Sequence, residues 1–106
     1  MNDKQPIKMY VLIKKSLPSH KIVVAANASV ACYLRFQDRP EMVEWAKNGM
    51  KTVVCEVTDR EFEAAKCEEN HVVVKSAAWK DVEAGLAFKP RMVWPEEFRF
   101  YSLMRL

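Results

Sequence analysis

Three features of this 106-residue chain predict an α/β fold. Two runs rich in β-branched residues, Met9-Tyr-Val-Leu-Ile13 and Lys51-Thr-Val-Val-Cys-Glu-Val57, read as strands, and helical segments follow each of them. Two later runs, residues 71–75 and 83–88, are joined by a short link that implies an antiparallel hairpin. The resulting order is β-α-α-β-α-β-β-α. It predicts a three-layer α/β/α architecture, with a four-stranded mixed sheet between helices, in a single domain over residues 1–106.

Each element has its own signal. Residues 1–6 are polar and end in Pro6, a short loose arm. The run 9–13 is apolar throughout between Lys8 and Lys14, as an interior strand buried on both faces should be. Pro18 breaks it by holding Leu17 extended, and Ser19 is placed to cap the next helix. That helix, residues 20–36, is the segment the rest packs around. From Ile22 to Leu34 only Asn27 and Ser29 are neither apolar nor plainly small and inert. A helix apolar nearly all round is expected to be buried over most of its circumference. It falls short of the about 20 apolar residues that a bilayer demands. Asn27 inside it needs partners, since a buried unpaired amide costs about 1–3 kcal/mol, and so reads as a structural clasp or part of a site.

Pro40 opens a second helix carrying Met42, Val43, Trp45 and Ala46, and Asn48-Gly49 stops it. Thr58 with Glu61 forms a capping box for a third helix over 59–69, with Phe62, Ala65 and Cys67 turned inward. Pro90 ends the fourth strand. Trp94-Pro-Glu-Glu97 then marks the start of a final helix, docked through Phe98, Phe100, Tyr101, Leu103, Met104 and Leu106.

Composition narrows the function. Half the residues are hydrophobic and 29% are charged, which suits a folded domain. With only two glycines, Gly49 and Gly85, neither common glycine-rich phosphate loop can be built. Net charge is +3, and Lys4, Lys8, Lys14, Lys15 and Lys21 make the first 37 residues basic. This permits a nucleic-acid partner without demanding one. Cys32, Cys55 and Cys67 stand at no metal-ligand spacing and read as small buried hydrophobes. No secretory leader is recognised, so a reducing cytoplasm is expected, with no membrane partner, metal or cofactor.

Ligands of open α/β sheets gather beyond the carboxyl ends of the strands. That edge receives Lys14, Lys15, Ser16, Ser19, His20 and Lys21 from the first loop, Thr58 and Asp59 after the second strand, and Lys75 and Ser76 after the third. The substrate-binding candidates are Lys14, Lys15, Ser19, His20, Lys75 and Ser76. A helix start beside Lys21 is a ready anion site, unless the loop is simply solvated and carries lysines. His20 is a general base or an exposed loop histidine, and no Ser-His-Asp order assembles around it. Trp45 reads as core and His71 as structural, whereas Trp79 is kept as an exposed stacking platform.

Lys8-Met-Tyr-Val-Leu-Ile-Lys14, the loop after it and Ala25-Ala-Asn-Ala-Ser-Val-Ala31 resemble the type 2 peptidyl-tRNA hydrolase family. That family has a lysine-rich loop before a helix beginning Ala-Ala-Gln-Cys-Ser-His-Ala. Glu44-Trp45, Asn48-Gly49 and Lys51-Thr-Val-Val54 are similar to its second helix and strand. The tail from Ala87-Phe-Lys-Pro90 is similar to a divergent branch, the peptidyl-tRNA hydrolase domain-containing proteins, so the resemblance runs from about Lys8 to the end. It implies a homodimer and metal-free hydrolysis of the ester joining a peptide to tRNA, with tRNA or peptidyl-tRNA as partner. By position Lys21 matches the first lysine of the family's Lys-Gly-Lys loop and Asn27 its glutamine, which makes these two the implied catalytic residues. Val23 stands at the second lysine and Val30 at the histidine. The family's Asp-Ala-Gly-Arg-Thr segment aligns near Lys75-Ser-Ala-Ala78, which holds no acid, although Asp81 and Glu83 follow closely. Two readings result: a hydrolase in which Lys21 meets phosphate or oxyanion, or a catalytically silent binding or dimerisation module on the same scaffold.

Overall fold

A computed structural model describes residues 6–104. The arm expected over residues 1–6, Pro6 apart, lies outside that range, as does Leu106. Five strands, β1 (Met9–Lys14), β2 (Thr52–Val57), β3 (His71–Ser76), β4 (Val82–Phe88) and β5 (Ser102–Leu103), form one mixed sheet in the order β3-β4-β1-β2-β5. The apolar run of β1 is explained by its central place. β2 runs parallel to it with Val11 opposite Val54, and β4 runs antiparallel with Leu12 opposite Leu86.

Alternation along β1 then builds two cores. Met9, Val11 and Ile13 face α1 (Lys21–Phe36) and α2 (Pro40–Lys47), while Tyr10 and Leu12 face the side held by Phe62 of α3 (Asp59–Ala65) and by Phe98. The three layers are therefore as the sequence predicts. Local signals hold as well. Trp45 is buried and its Nε1–H donates to the Lys51 carbonyl at 2.7 Å. Gly49 takes φ +92 after α2, and the Thr58–Glu61 capping box is complete in both directions.

Five expectations need correction. The sheet has five strands and not four, because the final segment is not a helix. It makes a short 3-10 turn over Glu96–Phe100, seated by Phe98, and then extends as β5. Here the free edge of β2 outweighs helix propensity: Leu103 pairs with Cys55, Ser102 with Glu56, and the Met104 amide donates to the Val54 carbonyl at 2.9 Å.

Second, α1 is not buried all round. One stripe, Val24, Ala28, Cys32 and Phe36, packs on the sheet, while Ile22, Val23, Val30 and Leu34 are each more than half exposed. Asn27 is exposed too, so it needs no protein partner and is no clasp. Third, α3 stops at Ala65 because the chain tightens there, with Cys67 and Glu68 amides bonding three residues back. The acids Glu68 and Glu69 would also sit badly at a helix C-terminus. Fourth, Cys67 is exposed in consequence, and only Cys32 and Cys55 are buried. Fifth, Ser19 does not cap α1; the cap position is His20 at φ 67, with no side-chain cap bond.

Candidate functional site

Because β4 runs antiparallel between β1 and β3, the carboxyl ends of β1, β2 and β3 share one edge. The loop leaving β1 is pinned there. The Lys15 amide donates to the Val57 carbonyl at 2.7 Å, the Leu17 amide to the Lys14 carbonyl at 3.1 Å, and the Leu17 side chain is buried. Ser16 Oγ donates to Asp59 Oδ1 at 2.7 Å, tying the loop to the first turn of α3. The chain then turns into α1 through His20, in the left-handed region that non-glycine residues rarely occupy. Ser19 Oγ and His20 Nδ1 share a hydrogen bond of 2.7 Å.

Lys21, the first residue of α1, projects to β2. Its Nζ lies 2.6 Å from Glu56 Oε2, and both side chains are about three-quarters buried. Strand parity makes this pairing available. Cys55 and Val57 fill the core on the α3 side, so Glu56 points to the α1 side with Val54. A carboxylate bonded to an ammonium at this distance supplies a proton acceptor and a fixed positive charge together.

Two cavities open on the edge and share Pro18 as a wall. One, of about 400 Å³, is bounded by Ser19, His20 and Lys21 and by Met104, which β5 brings there. The other, of about 490 Å³, lies between the loop and the β3–β4 hairpin and includes Lys14, Leu17 and Trp79. Beside it the Lys14 ammonium sits 4.8 Å from the centre of the Phe62 ring. The Glu83 carboxyl is held below its ordinary range, first by a hydrogen bond from Lys66 and further by the charges of Lys14 and Lys75.

The structure thus brings Ser19, His20 and Lys21 together and sets Lys14 and exposed Lys15 on the same edge. Lys75, exposed, and Ser76, buried, end β3, which is separated from β1 by β4. Asn27 is not brought to Lys21; six residues along the helix it stands about 120° around the axis. Trp79 is partly exposed, as a platform requires, and His71 is structural, its Nδ1–H donating to the Glu68 carbonyl at 2.7 Å. Glu56 is the candidate acid that the sequence reading does not include; its signal is a lone acid inside an apolar strand.

The family model described as Peptidyl-tRNA hydrolase PTH2 matches residues 7–89. The chain belongs to the type 2 peptidyl-tRNA hydrolase family. No curated protein matches it. The family match spans β1 to β4 and so contains the loop, Lys21 and Glu56, whereas β5 lies beyond it. Membership implies a peptidyl-tRNA hydrolase-like function and peptidyl-tRNA as the substrate class. No helix among the described residues is long and apolar enough to cross a membrane.

Proposed function

We propose that this protein hydrolyses the ester between a peptide and tRNA, without a metal, at the edge formed by the first loop and the start of α1. The observation that carries the reading is the Lys21–Glu56 pair, 2.6 Å apart and partly shielded from water. Ester hydrolysis needs a base for water and a positive group facing the developing oxyanion. Glu56 takes a proton from water as its oxygen bonds to the ester carbonyl carbon, Lys21 faces the oxyanion, and the proton passes to the ribose oxygen, which leaves as a hydroxyl when the ester C–O bond breaks. Lys14, Lys15 and Lys75 meet the tRNA phosphates, which makes binding steeply salt-dependent. His20, its Nδ1 bonded to Ser19, lies against the same cavity as Lys21. A homodimer in the cytoplasm belongs to this reading, and the outward apolar residues of α1 supply surface for self-association.

The test is release of free tRNA from a peptidyl-tRNA analogue by purified, metal-free protein, with Lys21→Ala and Glu56→Gln alongside. Turnover that disappears in both variants supports the proposal; a full-rate Lys21→Ala enzyme removes it. The second reading, a silent binding or dimerisation module, is favoured by the lack of any acid in Lys75–Ala78. No turnover together with salt-sensitive tRNA binding would select it.

A further inference from the structure

We propose that the groove between the first loop and the β3–β4 hairpin receives the acyl part of the substrate, with preference for an aromatic or large aliphatic side chain. This rests on the hydrolase reading above. The groove encloses about 490 Å³, within the range of small-ligand sites, and its inner walls are the carbon surfaces of Leu17, Pro18, Trp79 and Val82. Trp79 is 37% exposed and Val82 48% exposed, so the hairpin holds a large indole and a branched aliphatic group open to solvent along one space.

The hairpin that holds them is strained. Lys80 and Asp81 both have φ 57, two successive left-handed residues where a tight hairpin would ordinarily use Asn-Gly. The Asp81 amide is fixed to the Ser76 carbonyl at 2.9 Å, and the β3–β4 register shifts between Val74 and Lys75. Backbone held in sparsely populated regions clusters where ligands are gripped. Here it fixes the angle at which Trp79 and Val82 meet the groove.

The chemistry of the walls selects the occupant. Peptidyl-tRNA offers phosphates, bases, an ester and an acyl side chain. The charged lining is balanced, Asp59 and Glu83 against Lys14 and Lys80, so the groove offers a phosphate no net positive charge. The ester belongs on the other side of Pro18, in the cavity that Lys21 bounds. Because the two cavities adjoin across Pro18, the part of the substrate nearest this apolar lining is the side chain next to the ester, which enters while its carbonyl turns over Pro18 to Lys21.

N-acetyl-L-phenylalanine amide tests this directly, since it has no phosphate, no base and no ester. Its binding is read whether or not the protein turns over peptidyl-tRNA, so failure here and failure of the hydrolase reading are separate results. Titrated into the full chain and followed by amide and indole NMR signals, it is expected to shift Leu17, Trp79 and Val82 saturably. N-acetylglycine amide should bind at least about tenfold more weakly. Trp79→Ala should weaken the phenylalanine probe by about tenfold, and the exposed-site variant Val82→Asn should weaken it independently. Equal binding of the two amides, saturation at other residues, or no shift at the solubility limit would overturn the proposal. So would adenosine monophosphate shifting Trp79 when the phenylalanine probe does not, which would assign the groove to a base.

Discussion

Lys21 Nζ and Glu56 Oε2, 35 positions apart in sequence, stand 2.6 Å apart and fasten the start of a helix to the carboxyl end of β2. Because each side chain keeps about a quarter of its exposure, solvent screens the pair. A double-mutant cycle with Lys21→Ala and Glu56→Ala should give a stability coupling of only about 0.5–1 kcal/mol in urea unfolding. Turnover should fall at least about 100-fold in either single variant. Parallel losses of activity and stability, with no excess in activity, would make the pair merely structural.

At Gly85 a side chain of α1 presses close on the sheet backbone. A Cβ there would lie 2.8 Å from Val24 Cγ1, 3.1 Å from Val74 Cγ2 and 3.2 Å from Ile13 Cδ1, and the first two belong to stiff β-branched side chains. Gly85→Ala is expected to lose about 1–3 kcal/mol by overpacking. Adding Val24→Ala should restore part of it, so that the double variant is more stable than the sum of the two single losses predicts. Strict additivity in chemical denaturation would count against this contact.

Acid stability should depend on Glu41. Its carboxyl is held below the ordinary 4.5, first by its own backbone N–H at the start of α2 and then by Lys89, whose buried Nζ lies 3.2 Å away. A depressed folded value stabilises the fold fully above pH 4.5, and that contribution is lost as pH falls through the lower folded value. Glu41→Gln should therefore flatten the acid limb of the Tm–pH profile and lower Tm at neutral pH, where Lys89 is left without its partner. An unchanged acid limb would show that the pair does not set it.

Thiol labelling should separate the three cysteines. Burial pushes the Cys32 thiol up to about 12, against the opposing charge of Lys89, and the Cys55 thiol up to about 11, with Glu61 adding to the effect. Cys67 is exposed. At pH 8 a disulfide reagent should titrate one thiol quickly and the other two only after denaturant is added. Fast reaction of a second thiol would mean that one of the cores opens.

What could be read in advance follows a physical line. Strands β1 and β2, the capping box at Thr58 and the stop at Gly49 rest on neighbours in sequence, and all stand in the structure. β5 rests on an unfilled edge 46 or more positions away, visible only once β2 is placed. The apolar composition of α1 says nothing of which side is covered, and so Val30 and Leu34 were misjudged. In the candidate site, the placing of Lys21 and its loop on one edge was legible because a strand-to-helix switch in an α/β sheet lies at the carboxyl ends of the strands. Glu56 was not, since its partner is set by strand parity and by the angle at which α1 leaves His20.

The place of β1 has a kinetic consequence. Synthesised before both of its partners, it acquires its hydrogen-bonding neighbours only when residues 52–57 and 82–88 have followed. Its contacts are non-local on both sides, so folding is expected to be slow for a chain of this size. Until then an apolar segment with two unsatisfied edges is open to other nascent chains, and it is in that interval, more than in the finished protein, that aggregation competes.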